Sequence, residues 1–325
     1  MVEPKFVVSL DVGGTKQLAA VVNSESGVRV RLKKQTTAGH SHEAFSRALV
    51  ELTNEVISLA EIKPEQVAAV AVGIPGSVNM ETGVIGLAPN LGLKNYRVRE
   101  HLKDLLPYPV LVENDVNLAA AGELAFGAAI SKKNALVVFV GTGIGSGLII
   151  DGKIYRGSGW VAGEIGHIKV AEKGPKCGCG QVGCFEAVAS RTAIVRDISE
   201  LVKSGKPSTL KSKIEKNKEI KSKVLMKALN SGDKVTIGVF ESACKTIGRV
   251  LAGVNNLMNF ETIILGGGVM EANETFMLPR IVSAFKKYSL DDAAKSVEVV
   301  GTDLRDDAAI YGGIALTEEF LGVKV

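Results

Sequence analysis

The sequence predicts an α/β protein built from two related lobes, and three observations carry that expectation. A strand, glycine turn, strand unit occurs twice: residues 5–12 run into D-V-G-G-T-K at 11–16, and residues 135–140 run into G-T-G-I-G-S-G at 141–147. Such self-similarity signals two related halves, expected to face each other across a cleft. Short apolar runs of strand length also alternate with amphipathic stretches of helical period. Finally, 325 residues with 46% hydrophobic side chains suffice for two domains with large cores.

Taken in order, residues 5–12 read as a buried strand, and the apolar pattern resumes at 18–22 and 28–32 around the polar 23–27. Gly13 and Gly14, in a turn between strands, let backbone N–H groups approach an anion. A nucleotide phosphate is one candidate for that turn, and a plain hairpin is the other. Phe45, Ala48, Leu49, Leu52, Val56 and Leu59 then fall on one helical face behind Ser41 as N-cap. A strand at 67–74 ends in G-I-P-G-S, where the Gly76 turn either offers N–H groups to a ligand or simply turns the chain. Asn90 follows in a second loop.

The strand at 109–112 leads through Glu113-Asn114-Asp115 into a helix over 116–126. Asp115 therefore lies at the carboxyl end of a strand, where open α/β sheets hold ligands. Its alternative role is to cap the helix. The second glycine turn is not a dinucleotide fingerprint, because G-x-G-x-x-G needs glycine where Ser146 stands, and no G-x-x-x-x-G-K-[ST] loop occurs. Residues 148–155 read as a hairpin turning at Asp151-Gly152. Beyond residue 187 the chain is largely helical, with a long amphipathic helix over 239–258. A strand at 262–265 ends in G-G-G-V, a third glycine turn that either admits an adenine face or allows tight strand-to-helix packing. A helix from about Asn273, a strand at 297–300 and a last helix from about Asp306 complete the pattern.

Between the second turn and the helical region lies E-I-G-H, nine residues, then C-G-C-G-Q-V-G-C-F-E. His167, Cys177, Cys179 and Cys184 match the closed Cys₃His set of structural zinc sites, with no position left for water. A disulfide framework needs an oxidising compartment, and the chain carries no secretory signal. Glu164 and Glu186 bracket this loop, so a metal that clamps it fixes two carboxylates able to hydrogen-bond the hydroxyls of a small polyol. Cys244, in an apolar helical pattern, reads as a small buried hydrophobe.

Charged residues make up 23% of the chain and the net charge is +4, with an isoelectric point near 8.7. Much of the excess comes from lysines between 203 and 227, interleaved with Ile214, Ile220, Val224, Leu225 and Met226. That pattern is a solvated helical face, so no nucleic-acid partner is expected. No apolar run reaches the roughly 18 residues of a membrane span. The N-terminus lacks the basic and apolar regions of a leader. A soluble, cytoplasmic protein without membrane contact is expected.

Together these motifs resemble the ROK family of sugar kinases and sugar-responsive repressors, within the actin and hexokinase-like ATPase superfamily. D-V-G-G-T-K, E-N-D-V-N, G-T-G-I-G-S-G, E-I-G-H, C-x-C-G-x-x-G-C-x-E and L-G-G-G-V occur in the family's order over nearly the whole chain. The resemblance implies a two-domain actin/hexokinase-like (ribonuclease H-like) ATPase fold with a cleft between the lobes. Residues 1–115 with about 305–325 form the smaller lobe and 116–304 the larger. It implies a glucokinase-like, ATP-dependent hexose kinase of carbohydrate metabolism, with catalytic Mg²⁺, structural Zn²⁺ and a homodimeric state.

Carried onto this sequence, the resemblance makes Asp115 the base that takes the proton of a sugar hydroxyl. Gly76, Asn90, Asn114, Glu164, His167 and Glu186 would hold the sugar, with His167 giving one nitrogen to zinc and one to sugar. Asp11 would orient Mg²⁺. Gly13, Gly14, Thr15 and Lys16 would take the phosphates with Gly141, Thr142, Gly143 and Gly145, while Gly267 and Gly268 would lie near the adenosine. Phosphoryl transfer asks mainly for positioning and charge neutralisation, which this set supplies.

Glucokinases of the family often carry a tryptophan shortly after the Pro-Asn pair, whereas this chain continues L-G-L-K-N-Y and has its only tryptophan at Trp160. That departure leaves the hexose open: glucose leads, with N-acetylmannosamine, N-acetylglucosamine, fructose and allose as alternatives. The family's repressors place a helix-turn-helix module before the sugar domain, and with the phosphate turn at Asp11 no such module is expected. A sugar-sensing domain without catalysis is the remaining alternative, and Asp115 argues against it because sensing needs no base.

Overall fold

The computed structural model describes residues 5–36 and 41–325. Its strands are β1 (Phe6–Val12), β2 (Lys16–Asn23), β3 (Gly27–Gln35), β4 (Val67–Ile74), β5 (Ser77–Asn79), β6 (Val84–Ala88), β7 (Leu93–Tyr96), β8 (Val110–Asn114), β9 (Ala135–Val140), β10 (Ile144–Ile150), β11 (Lys153–Tyr155), β12 (Thr262–Gly266) and β13 (Glu298–Gly301). Its helices are α1 (His42–Ala60), α2 (Val98–Lys103), α3 (Asp115–Phe126), α4 (Phe185–Ala189), α5 (Arg191–Lys203), α6 (Lys211–Glu215), α7 (Ser222–Asn230), α8 (Lys234–Met258), α9 (Gly268–Ala272), α10 (Glu274–Tyr288), α11 (Asp291–Lys295) and α12 (Ala308–Leu321). Two units follow from the contacts: Met1–Ser131, Gly147–Ala162 and Asp306–Val325 form one, and Lys132–Ser146 with Gly163–Arg305 the other.

The first unit is built on a sheet of order β3-β2-β1-β4-β8. β1, β2 and β3 are antiparallel neighbours, while β4 and β8 run parallel to β1. β1 and β4 are apolar along nearly their whole length, as strands buried on both faces must be. The amphipathic α1 lays Phe45, Leu49, Leu52 and Val56 on this core. Its start is fixed by Ser41, whose hydroxyl accepts the backbone N–H of Ala44. A three-stranded antiparallel sheet, β5-β6-β7, was not legible in the sequence.

α3 packs against α12 at backbone contact. A Cβ on Gly122 would lie 2.0 Å from the carbonyl oxygen of Ala308, and one on Gly312 would lie 1.8 Å from that of Leu118. Only glycine allows two helices this close. The first unit takes in α3 and Gly147–Ala162, the end of β10 with β11, whereas the expected larger lobe runs over 116–304. The hairpin turns at Asp151 and Gly152, with φ of 51° and 72°, the two left-handed residues a tight hairpin turn requires.

In the second unit β9, β12 and β13 are parallel, with Ala135 beside Thr262 and Thr262 beside Glu298. The expected long helix is α8, which starts five residues earlier than the apolar periodicity suggests. Asp233 sets that start: its carboxylate accepts the N–H of Thr236 and bonds with Ser208 and Thr209, and these bonds hold it down at about 2 against the cost of burial. Cys244 is buried in α8, and burial pushes its thiol up to about 12. Among the described residues, no helix is long and apolar enough to cross a membrane.

Candidate functional site

Three parallel strands of the first unit end side by side. Asp11 pairs with Gly73, and Gly73 with Glu113, so Asp11 and the Glu113-Asn114-Asp115 corner share one sheet edge. Beyond Asp11 the glycine turn closes through the N–H of Gly13 donating to the carbonyl of Lys16 at 2.9 Å, and Thr36 Oγ1 donates to Gly13 O at 2.6 Å. Thr15 lies in the turn, and Lys16 already begins β2. Gly14 abuts Asn90, for a Cβ there would sit 3.0 Å from the Cβ of Asn90. Burial and the Asp306 carboxylate push the Asp11 carboxyl up to about 6, against a pull from Lys33.

The N-cap of α3 is Asn114, and Asp115 is the first helical residue. Asn114 Oδ1 accepts the N–H groups of Val116 and Asn117 at 2.9 and 3.0 Å, while its Nδ2 donates to the carbonyl of Gly76 at 3.0 Å. Gly76, with φ of 106°, needs to be glycine twice over, because a Cβ would fall 2.1 Å from Leu87 O. Asp115 Oδ1 also accepts the N–H of Val116, at 2.9 Å. Capping is thus chiefly the work of Asn114, and the carboxylate one residue on is held at the mouth of the sheet.

In the second unit the glycine turn is shorter than expected: Gly141 N–H donates to Gly143 O at 2.9 Å, and Gly145 already lies within β10. Gly143 faces Glu186, whose Oε2 would be 2.2 Å from a Cβ there and accepts the N–H of Ile144 at 3.0 Å. A 3₁₀ turn at Ile165–His167 packs its Gly166 against Ile144 O. Glu164, His167 and Glu186 therefore gather around the start of β10. Burial raises the Glu164 carboxyl above its ordinary range, opposed by His167 and reinforced by Glu186.

The cysteine loop folds as a knuckle. Cys177 N–H donates to Gln181 O and Gly180 N–H to Cys177 O. Gly183 is forced by the carbonyl of Ala171, 1.8 Å from where a Cβ would stand. One ligand atom from each of His167, Cys177, Cys179 and Cys184 lies within 4.8 Å of the others. Cys177 Sγ is 3.7 Å from His167 Nδ1, and the Cys179 and Cys184 sulfurs are 3.7 Å apart. A tetrahedral zinc with Zn–S of about 2.3 Å has an S–S edge of about 3.8 Å, so the donor set fits that ion. Nε2, the other nitrogen of His167, points toward Glu164, 3.8 Å from Oε2.

A sequence model of the ROK family matches residues 7–319. The chain belongs to the ROK family. It is 32% identical to a glucokinase of Halalkalibacterium halodurans over 95% of this chain and 94% of that protein. In structure it is similar to a ROK family glucokinase from Streptomyces griseus, solved in complex with glucose and AMPPNP, with a TM-score of 0.84, 28% identity, and 97% and 99% of the two chains covered. A ROK family transcriptional regulator, a homolog of the Escherichia coli MLC protein, aligns with a TM-score of 0.86 and 26% identity over 98% of this chain and 78% of its own. The fold is that of the family's actin/hexokinase-like ATPases.

Sequence reasoning overlooked residues that only this ROK fold brings to the second turn. Arg191 Nη2 donates to Thr142 Oγ1 at 2.9 Å, and Thr192 Oγ1 to the carbonyl of Thr142 at 2.7 Å. Both residues line a 450 Å³ cavity whose other walls include Val195, Lys203, Lys218 and Ile220. Gly141 opens toward Gly268, and Gly267 takes φ of 91° because a Cβ would strike the backbone of Val140. Ser190-Arg191-Thr192 carries no glycine signature, so nothing local marked it.

Proposed function

We propose that this protein is an ATP-dependent hexose kinase that moves the γ-phosphoryl group of ATP to a hydroxyl of a free hexose, glucose first among them. The observation that carries the reading is Asp115, a carboxylate at a sheet edge shared with Asp11, beside a helix cap already supplied by Asn114. Asp115 takes the hydroxyl proton, the sugar-binding residues are Gly76, Asn90, Asn114, Glu164, His167 and Glu186, and the glycine turns receive the phosphates. The cavity lined by Arg191, Thr192, Val195 and Ile220 suits an adenosine, and on the kinase reading Gly267 and Gly268 lie near that group. Mg²⁺, held toward Asp11, would neutralise phosphate charge. Zn²⁺ on His167, Cys177, Cys179 and Cys184 would keep His167 Nε2 and Glu186 in place. The same reading makes the protein a cytoplasmic homodimer.

The test is Asp115→Asn, assayed for ADP release over a panel of hexoses and N-acetylhexosamines alongside Tm. Loss of a general base lowers kcat by ~10²–10⁴-fold. Because Asn114 provides the cap, Tm should barely move. Retained turnover refutes the base, and no turnover of the parent protein with any sugar favours sensing over catalysis.

A further inference from the structure

Glu113, the residue before Asn114, is 1% exposed and carries a charge into the core of the first unit. Both its oxygens are occupied. Oε2 accepts Arg156 Nε at 2.6 Å, and Oε1 accepts the backbone N–H of Asn114 at 2.9 Å and lies 3.4 Å from Asn117 Nδ2. Arg156, just beyond β11, keeps only 11% of its side chain exposed. Its two terminal nitrogens reach the Glu319 carboxylate near the end of α12, at 3.2 and 3.3 Å, and its guanidinium carbon lies 5.2 Å from the ring centre of Phe320.

A buried ion pair at best roughly balances its desolvation against its attraction, so stability alone is a weak reason to keep one. What this pair does hold is the corner that aims Asp115. Asn114 is fixed at its backbone N–H by Glu113, at Oδ1 by the first turn of α3, and at Nδ2 by Gly76. Asp115 follows immediately, and Asn117 stands on the same helix two residues on. Glu113 in turn depends on Arg156, and Arg156 on Glu319.

We propose that Arg156, acting through Glu113, is a positioning residue that sets the attitude of the Asn114-Asp115 corner for proton abstraction. The proposal rests on the kinase reading of Asp115. A misplacement of about 1 Å at a reacting group can cost ~10²-fold in rate, which a fixed fork of hydrogen bonds prevents. Lysine cannot reproduce that fork, because its ammonium is a point charge.

The experiment compares Glu113→Gln, Arg156→Lys and Arg156→Met, each in the parent and in the Asp115→Asn background, measured well below every Tm. In the parent, Glu113→Gln and Arg156→Met should lower kcat ~10–100-fold while KM for ATP stays within about twofold, and Arg156→Lys should recover only part of the loss. In the Asp115→Asn background the same changes should cost less than about twofold, since residues acting through one group are not additive. Should Arg156→Met fail to fold, Glu113→Gln and Arg156→Lys carry the comparison. Parental kcat with only a lowered Tm overturns the proposal, as do equal losses in both backgrounds. Full turnover by Asp115→Asn alone removes the base itself, an outcome read separately.

Discussion

Asp11→Asn tests the chemistry of the first glycine turn through stability as well as rate. The carboxyl of Asp11 is raised from 3.8 to about 6 by burial and by Asp306. A carboxyl whose folded pKa exceeds its unfolded value penalises the fold once ionised. The penalty is absent below about pH 3.8, grows between there and about 6, and is complete above it. At about 1.4 kcal/mol per pH unit, that displacement corresponds to roughly 2–3 kcal/mol. Asparagine keeps the size and removes the charge, so at about pH 7.5 Tm should rise by roughly 4 °C for a chain this long. The gain should shrink toward zero by about pH 4. On the kinase reading, in which Asp11 orients Mg²⁺, activity should move the other way and fall a hundredfold or more, because the metal's charge stabilisation is worth several kcal/mol. No gain in Tm at neutral pH, or the same gain at low pH, refutes the electrostatic argument; parental activity refutes the metal role.

Protein purified without chelator should hold about one zinc per chain, and stripping it should lower Tm; less than about half an equivalent by elemental analysis sinks the Cys₃His assignment. Gly143→Ala should force the Glu186 carboxylate off the Ile144 N–H, since the added methyl would stand 2.2 Å from Oε2. On the kinase reading, which gives Glu186 to the sugar, that displacement should raise KM for the sugar together with KM for ATP in a folded protein, and an unchanged KM for the sugar refutes it.

What the sequence made legible was local. Ser41 caps α1 where expected, Asp151-Gly152 closes its hairpin, and the cysteine loop brings its donors together because all four lie within eighteen residues of chain. Partners far apart in sequence left no such trace. Glu113 meets Arg156 across 43 positions, and Arg156 meets Glu319 across 163. The sequence offered base or cap for Asp115 without a way to choose, and Asn114 took the cap because its amide also reaches the Gly76 carbonyl.

The glycines carry the last step. From sequence, Gly14 and Gly143 either let backbone N–H groups approach a phosphate or simply turn the chain. The structure adds a neighbour in each case: Asn90 occupies the space a Cβ on Gly14 would need, and the Glu186 carboxylate that of Gly143. Both neighbours are residues that the kinase reading gives to the sugar. On that reading, a missing Cβ within each unit lets a sugar-binding side chain press on a phosphate turn. If those roles hold, a substitution at either glycine should disturb sugar and nucleotide binding together.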